Sequence, residues 1–305
     1  MLDERGPVRT LRARHADGSE RLLKLVRRPE TGDVDKFLQL ERTLLREYEV
    51  LKRLGEKAVA PRVEHYFSWE DGTFWVIPIC PVEGDSLRSH RSAAVPTAKE
   101  ILPVVESAFR SLANVHQEGV VHRALSPDRI VVEERDHSPW VIFTDFVIAR
   151  IQHQETIASK AEEMKLDPDC QYRAPECKLA LELAEPTSDV YSLAASLFFW
   201  VTGFEPDVTK DVPAFPPLTS QRTDIPEDDA KFLQRLFSDC LQEDAKKRPS
   251  AREVLARIEQ ERQRRETAKR KSHSEEHIYE EGEQIDDQHQ IVRHLGRGAT
   301  ADSYL

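Results

Sequence analysis

Apolar and polar residues alternate along Arg9–His15 and again along Glu20–Val26, and the two runs flank Ala16-Asp17-Gly18-Ser19. Period-two alternation on both sides of an Asp-Gly turn predicts a β-hairpin. The period then lengthens. From Val34 to Leu54, Phe37, Leu38, Leu40, Leu44, Leu45, Val50, Leu51 and Leu54 recur at helical spacing, with Gly55 as the stop signal. Strands are predicted around Arg62–Trp69 and Thr73–Ile79, and Glu83-Gly84-Asp85 marks a turn. Beyond it the pattern is mainly helical, over Lys99–Gln117, Ser188–Thr202, Glu227–Leu241 and Ala251–Arg270. Two short apolar strands, Ile130–Val132 and Trp140–Phe143, fall among these helices. Strands first, one helix among them, then a helical body: the pattern is an α+β fold in two lobes.

The 305 residues can bury a sizeable core as one large domain or two. With 39% hydrophobic and 32% charged residues the chain has the composition of a soluble globular protein. Its longest apolar run, Leu193–Thr202, is far shorter than the roughly 20 residues that span a bilayer, and fits a buried helix. Charges at Asp3, Glu4 and Arg5 with no apolar stretch behind them give no expectation of a signal peptide. Cys80, Cys170, Cys177 and Cys240 lack paired C-x-x-C spacing, which argues against a zinc site and for a reducing, cytoplasmic compartment. A net charge of −11 disfavours nucleic acid as a partner. The basic run from Arg262 to Lys271 contains a glutamate and turns acidic at Glu275-Glu276 and Glu280-Glu281, as a solvated helix does; binding of an anionic partner is the other reading.

The chemistry-bearing segment is His122-Arg123-Ala124-Leu125-Ser126-Pro127-Asp128-Arg129, followed by Thr144-Asp145-Phe146-Val147. It resembles the H-R-D-L-K-P-E-N catalytic loop and the D-F-G metal loop of eukaryotic-type serine/threonine protein kinases of the bacterial sort. Three more segments follow in the family's order. Gln171-Tyr172-Arg173-Ala174-Pro175-Glu176 resembles the A-P-E end of the activation loop, Ser188–Leu193 the start of the central helix, and Asp244–Arg248 the late signature whose arginine meets the A-P-E glutamate. The resemblance covers residues 7 to 258 and implies a small β-rich N-lobe over 1–80 and a helical C-lobe over 81–258. It also implies that Lys24 holds nucleotide phosphates, that Glu47 pairs with Lys24, that Asp145 binds Mg²⁺, and that Glu176 and Arg248 form a buried ion pair. Without the family context, Lys24 and Glu47 read as solvated surface charges.

The departures from the family are concentrated where the chemistry lies. Ala124 stands in place of the base, a group contributing about 10²–10⁴ in rate. Ser126 replaces a lysine that steadies the moving phosphoryl group, and Arg129 replaces a metal-binding asparagine with a cation that repels Mg²⁺. Asp128 matches an ordinary acidic position and is expected to point away. Val147 replaces the loop glycine and restricts the backbone. No glycine-rich loop is evident before the hairpin, where Gly6 is the only glycine.

A charged helical linker is expected over 259–280, and Ile291–Leu305 resembles the first strand and glycine loop of another kinase, with Gly296 and Gly298 in G-x-G spacing. The chain thus looks cut from a tandem of two such domains. The expected function is that of a pseudokinase, a regulatory or docking module for a partner kinase in cis or in trans, with weak ATP and Mg²⁺ binding through Lys24, Glu47 and Asp145. The alternative is an active serine/threonine kinase of atypical mechanism working through Asp145 and Lys24. A bacterial signalling protein is the expected setting.

Overall fold

The computed structural model describes residues 8–28, 34–70, 72–152, 169–207, 209, 213–276, 282–284, 289–297 and 302–304. The chain divides into two compact units, Met1–Leu255 and Ala256–Leu305. In the first, strands β1 (Val8–Arg14) and β2 (Glu20–Arg27) form the predicted hairpin, with Thr10 opposite Lys24. Gly18 turns it at φ +88°, and the Asp17 carboxylate accepts from the Ser19 amide at 2.8 Å, an Asx turn. The remaining strands, β3 (Phe67–Trp69) and β4 (Phe74–Ile79), complete an antiparallel sheet in the order β1-β2-β4-β3. β3 is shorter than its pattern suggested: from Arg62 to Tyr66 only Val63 bridges the sheet, to Ile79.

Helix α1 (Val34–Gly55) covers one face of this sheet, packing Phe37, Leu44 and Tyr48 on Val26 and Ile77. Strand periodicity puts Lys24 on the same face as Val26, and helical periodicity puts Glu47 on the same stripe as Leu44 and Leu51. Both charged residues are thereby drawn inside. The helix ends at Gly55, as its position suggested. A Cβ there would meet the Pro61 carbonyl at 3.2 Å, so glycine permits a close chain approach, while the left-handed turn falls on Ala58 at φ +55°.

The helical part begins with β5 (Asp85–Ser86), α2 (Leu87–Ala93) and α3 (Ala98–Gln117). Gly84 is required beside β5: a Cβ would lie 2.2 Å from the Val132 carbonyl oxygen. Helix α3 starts at Thr97, whose amide donates to Glu100 at 2.6 Å. Then come β6 (Val120–Val121), β7 (Ile130–Arg135), β8 (Ser138–Phe143) and β9 (Arg150–Ile151), paired as β5-β7-β8 and β6-β9. After the short α4 (Pro175–Leu179) comes α5 (Pro186–Thr202), buried from Ser188 through Val201, and it ends at Gly203 in the left-handed conformation. Short α6 (Leu218–Gln221) and α7 (Glu227–Cys240) follow; Phe237 on α7 and Phe215 just before α6 set their rings edge-on against Phe198 of α5.

Helix α8 (Ala251–Glu276) begins in the first unit and continues into the second, which also holds the antiparallel pair β10 (His294–Arg297) and β11 (Asp302–Tyr304). Among the described residues no helix is long and apolar enough to cross a membrane.

One buried carboxylate and one half-buried carboxylate tie this architecture together. Asp189, in the first turn of α5, accepts from the backbone amides of His122 at 2.7 Å and Arg123 at 2.8 Å, with His116 Nε2 at 3.1 Å. Glu176 and Arg248 form the expected ion pair, bidentate at 2.6 and 2.8 Å, and Ser188 donates to the same carboxylate at 2.6 Å. Burial pushes the Glu176 carboxyl up, but the bonds from Arg248 and Ser188 outweigh it and hold it below the ordinary range.

Replacing Arg248 with Met strands the Glu176 charge and is expected to cost about 3–5 kcal/mol in urea denaturation. Because the folded carboxyl is depressed, the pair's contribution is present above the ordinary Glu pKa of about 4.3 and is lost as pH falls through the lower folded value. The gap between wild type and Arg248→Met should therefore close in acid. An undiminished gap would mean that Glu176 is not the partner that matters. Asp189→Ala strands two buried amides at ~1–3 kcal/mol each, and hydrogen exchange should show His122 and Arg123 losing protection first; retained protection would mean that the loop is held by something else.

Candidate functional site

Lys24 lies mid-strand in β2, and its ammonium donates to both Glu47 oxygens, at 2.9 and 2.7 Å. The same nitrogen is 3.9 Å from Asp145 Oδ1. Burial pulls the Lys24 ammonium down, but Glu47 and Asp145 overcome it and leave its pKa above the usual value. For Glu47, only 3% exposed, burial pushes the carboxyl the opposite way, up. Two facing carboxylates keep the ammonium charged, and the ammonium opposes the upward push that burial and Asp145 exert on Glu47. The constellation implied by the resemblance is thus assembled from β2, α1 and the loop after β8.

That loop and the one after β6 are held in unusual backbone conformations, with Arg123 at φ +72° and Asp145 at φ +61°. Such residues cost of order 1–3 kcal/mol each and persist only where surroundings over-determine them. For Arg123 the surroundings are the Asp189 clamp and its own guanidinium, which donates to the Leu181 carbonyl at 2.6 Å and the Ile148 carbonyl at 3.3 Å. For Asp145 they include Phe146, fully buried with its ring 4.4 Å from that of His122. Burial lowers the His122 pKa and keeps the ring neutral. Its Nδ1 accepts from the Ala124 amide at 3.3 Å, so Nε2 carries the hydrogen and donates to the Thr144 carbonyl at 3.0 Å.

Within this frame, two of the three altered positions carry side chains with new partners. Ala124 is buried and presents no acid. The Ser126 hydroxyl donates to Asp169 Oδ2 at 2.8 Å, and burial raises the Asp169 carboxyl above its ordinary pKa. Arg129 donates from Nε to Asp145 Oδ2 at 2.8 Å and from Nη1 to the Ala124 carbonyl at 3.1 Å. Burial pushes the Asp145 carboxyl up, but the two cations, Lys24 and Arg129, outweigh it and hold it down. The expected metal ligand therefore already bears a permanent cation. Mg²⁺ is held by hard oxygen donors, in nucleotide sites one or two carboxylates together with substrate phosphates, and a carboxylate already occupied by a guanidinium does not fit it.

Asp128 points away, as expected, toward Arg88 at 2.7 Å. Nothing in the spacing of the sequence had singled out Arg88. Its guanidinium also meets Glu205 at 2.7 Å and Asp169 at 3.4 Å, and lies 4.9 Å over the Phe199 ring. Burial lowers the Arg88 pKa, but bonds to Asp128 and Glu205 more than reverse it. Tyr172, whose hydroxyl bonds Glu205, is pushed up by burial and by that carboxylate. One arginine thus ties the altered loop, the segment before α4 and the chain after α5. Its only sequence signal is its place just after the Ser86 helix cap. Gly296 lies in β10 of the second unit, and Gly298 lies outside the described residues.

Comparison with known proteins agrees with this architecture. The protein kinase domain family matches residues 6–258. A serine/threonine-protein kinase of Myxococcus xanthus, pkn3, is 27% identical over 260 residues, covering 76% of this chain and 46% of that protein. The serine/threonine-protein kinase PrkC of Bacillus subtilis is 31% identical over 142 residues, 46% of this chain and 21% of that protein. The chain therefore spans less than half the length of these relatives. The solved structure of the Rad53 kinase domain and SCD2 superposes with a TM-score of 0.54 at 19% identity, covering 82% of this chain and 87% of that one. With the family matched across most of its length, the lysine, glutamate and aspartate gathered in one cleft and the two-lobed fold in place, this chain belongs to the protein kinase domain family.

Proposed function

We propose that this domain is a pseudokinase, a regulatory or docking module that does not transfer phosphate. The observation that carries the reading is the Arg129–Asp145 contact at 2.8 Å beside Ala124. A base is missing, a cation occupies the expected metal ligand, and Ser126 is engaged with Asp169. Each would slow transfer; together they leave neither a proton acceptor nor a site for the metal that neutralises developing charge. Meanwhile the Lys24–Glu47 and Glu176–Arg248 pairs and the Asp189 clamp hold the fold in shape. A rigid kinase-shaped surface without turnover is suited to binding a partner kinase. The exposed rings of Tyr66, Phe67 and Trp69, on and beside the edge strand β3, support a docking role.

Residues 281–305 belong, in this reading, to the start of a second kinase domain; the β10–β11 pair, with Gly296 in β10, supports it. A downstream reading frame without a kinase body would sink that part. The second reading, an active kinase of atypical mechanism, is favoured by one observation, the Lys24 ammonium set between Glu47 and Asp145. Radiolabelled ATP with the purified chain and a generic protein substrate separates the two. The expected incorporation is no greater than that of an Asp145→Asn control; signal that depends on Asp145 would establish the active reading instead.

A further inference from the structure

Arg129 does more than remove a metal ligand. Its backbone is pinned on both sides, its amide donating to the Ser126 carbonyl at 3.0 Å and its carbonyl accepting from the Thr144 amide at 2.9 Å. Its head is aimed by the Asp145 carboxylate and the Ala124 carbonyl. The result is a cation on a fixed stem, placed on the carboxylate that would otherwise receive a divalent ion.

The four charges in direct contact then balance without a metal. Glu47 and Asp145 contribute two negative charges, Lys24 and Arg129 two positive ones. With an uncharged residue at position 129 the same cleft would carry a net negative charge and would need a divalent ion before accepting a phosphate chain. With Arg129 present, a divalent ion would have to displace a guanidinium that does not deprotonate and would sit beside it. A guanidinium is also the side chain best matched to phosphate oxygens. The Asp145 side chain is 41% exposed, so solute can reach the carboxylate that Lys24 and Arg129 flank.

We propose that Arg129 is a tethered stand-in for the divalent cation, and that the cleft binds a nucleoside polyphosphate free of metal. The inference rests on reading the Lys24–Glu47–Asp145 cleft as a nucleotide site without turnover. It assigns Arg129 a binding role where the altered motif by itself shows only a loss. No chemical step is involved.

The test is calorimetric titration of the full chain with ATP, in EDTA and then in Mg²⁺. Wild type is expected to bind ATP in EDTA with an affinity that Mg²⁺ does not improve. Arg129→Asn should lose about tenfold in EDTA and recover it when Mg²⁺ is added, since it removes the tethered cation and restores an oxygen donor. Asp145→Asn removes a negative charge next to the phosphates and should bind at least as tightly as wild type in EDTA, whereas a metal-dependent site would lose binding. Should Arg129→Asn fail to fold, Arg129→Lys keeps the charge and is expected to stay independent of metal. Wild-type affinity that rises severalfold with Mg²⁺, absence of ATP binding in EDTA, or an Arg129→Asn variant unchanged in EDTA would each overturn the proposal. Phosphoryl transfer is read on the same samples. Its appearance with metal-independent affinity would overturn the pseudokinase reading and leave the role of Arg129 standing.

Discussion

The Asp189 carboxylate is the constraint on which the rest of the site depends. A single buried acid at the start of α5 accepts the amides of His122 and Arg123, so the loop after β6 is fastened to the most deeply buried helix of the protein. Two charge-assisted bonds to consecutive amides leave that loop little choice of φ and ψ. They account for a bulky residue, Arg123, being kept in the left-handed region. Once the start of the loop is set, Ala124, Ser126 and Arg129 have fixed addresses: one is buried without a functional group, one turns to Asp169, one reaches Asp145. The same helix start holds Ser188, which donates to Glu176. Loop and ion pair are therefore anchored within two adjacent residues.

The second lesson is that loss of catalytic groups did not leave holes. Buried or half-buried charge that loses its partner is expensive, and the two polar residues at altered positions each have a partner. Ser126 takes Asp169, and Arg129 takes Asp145. Asp128, Asp169 and Glu205 converge on Arg88. Asp145 lies between two cations, Lys24 and Arg129, and Asp169 between the Ser126 hydroxyl and Arg88.

The architecture was legible along the chain to a large extent, for a simple reason: period and punctuation are local. The β1–β2 hairpin, α1, α3 and α5 could be placed from alternation, 3.6-residue spacing and turn residues. The Lys24–Glu47 and Glu176–Arg248 pairs were anticipated from motif order, and geometry brought them to 2.7 and 2.6 Å. Gly55 ends α1 as its position indicated, but its second role, letting Pro61 and Arg62 approach closely, needs the neighbouring chain to be seen. Strand β3 came out short because the alternation over Arg62–Tyr66 fits a strand whether or not a partner lies beside it, and there only Val63 bridges the sheet.

What the sequence determined by itself, then, is the order of elements, the apolar faces that build two lobes, and the identity of the missing catalytic groups. All of these are properties of single residues or of neighbours within a few positions. What only the tertiary structure decided is where the remaining charges went. Arg88 and Glu205 are 117 residues apart, and Arg129 and Asp145 are 16 apart across a β-hairpin. Charge pairing acts over a few ångströms of space regardless of separation along the chain. A motif therefore names the residue that is absent but cannot name the one that fills its place.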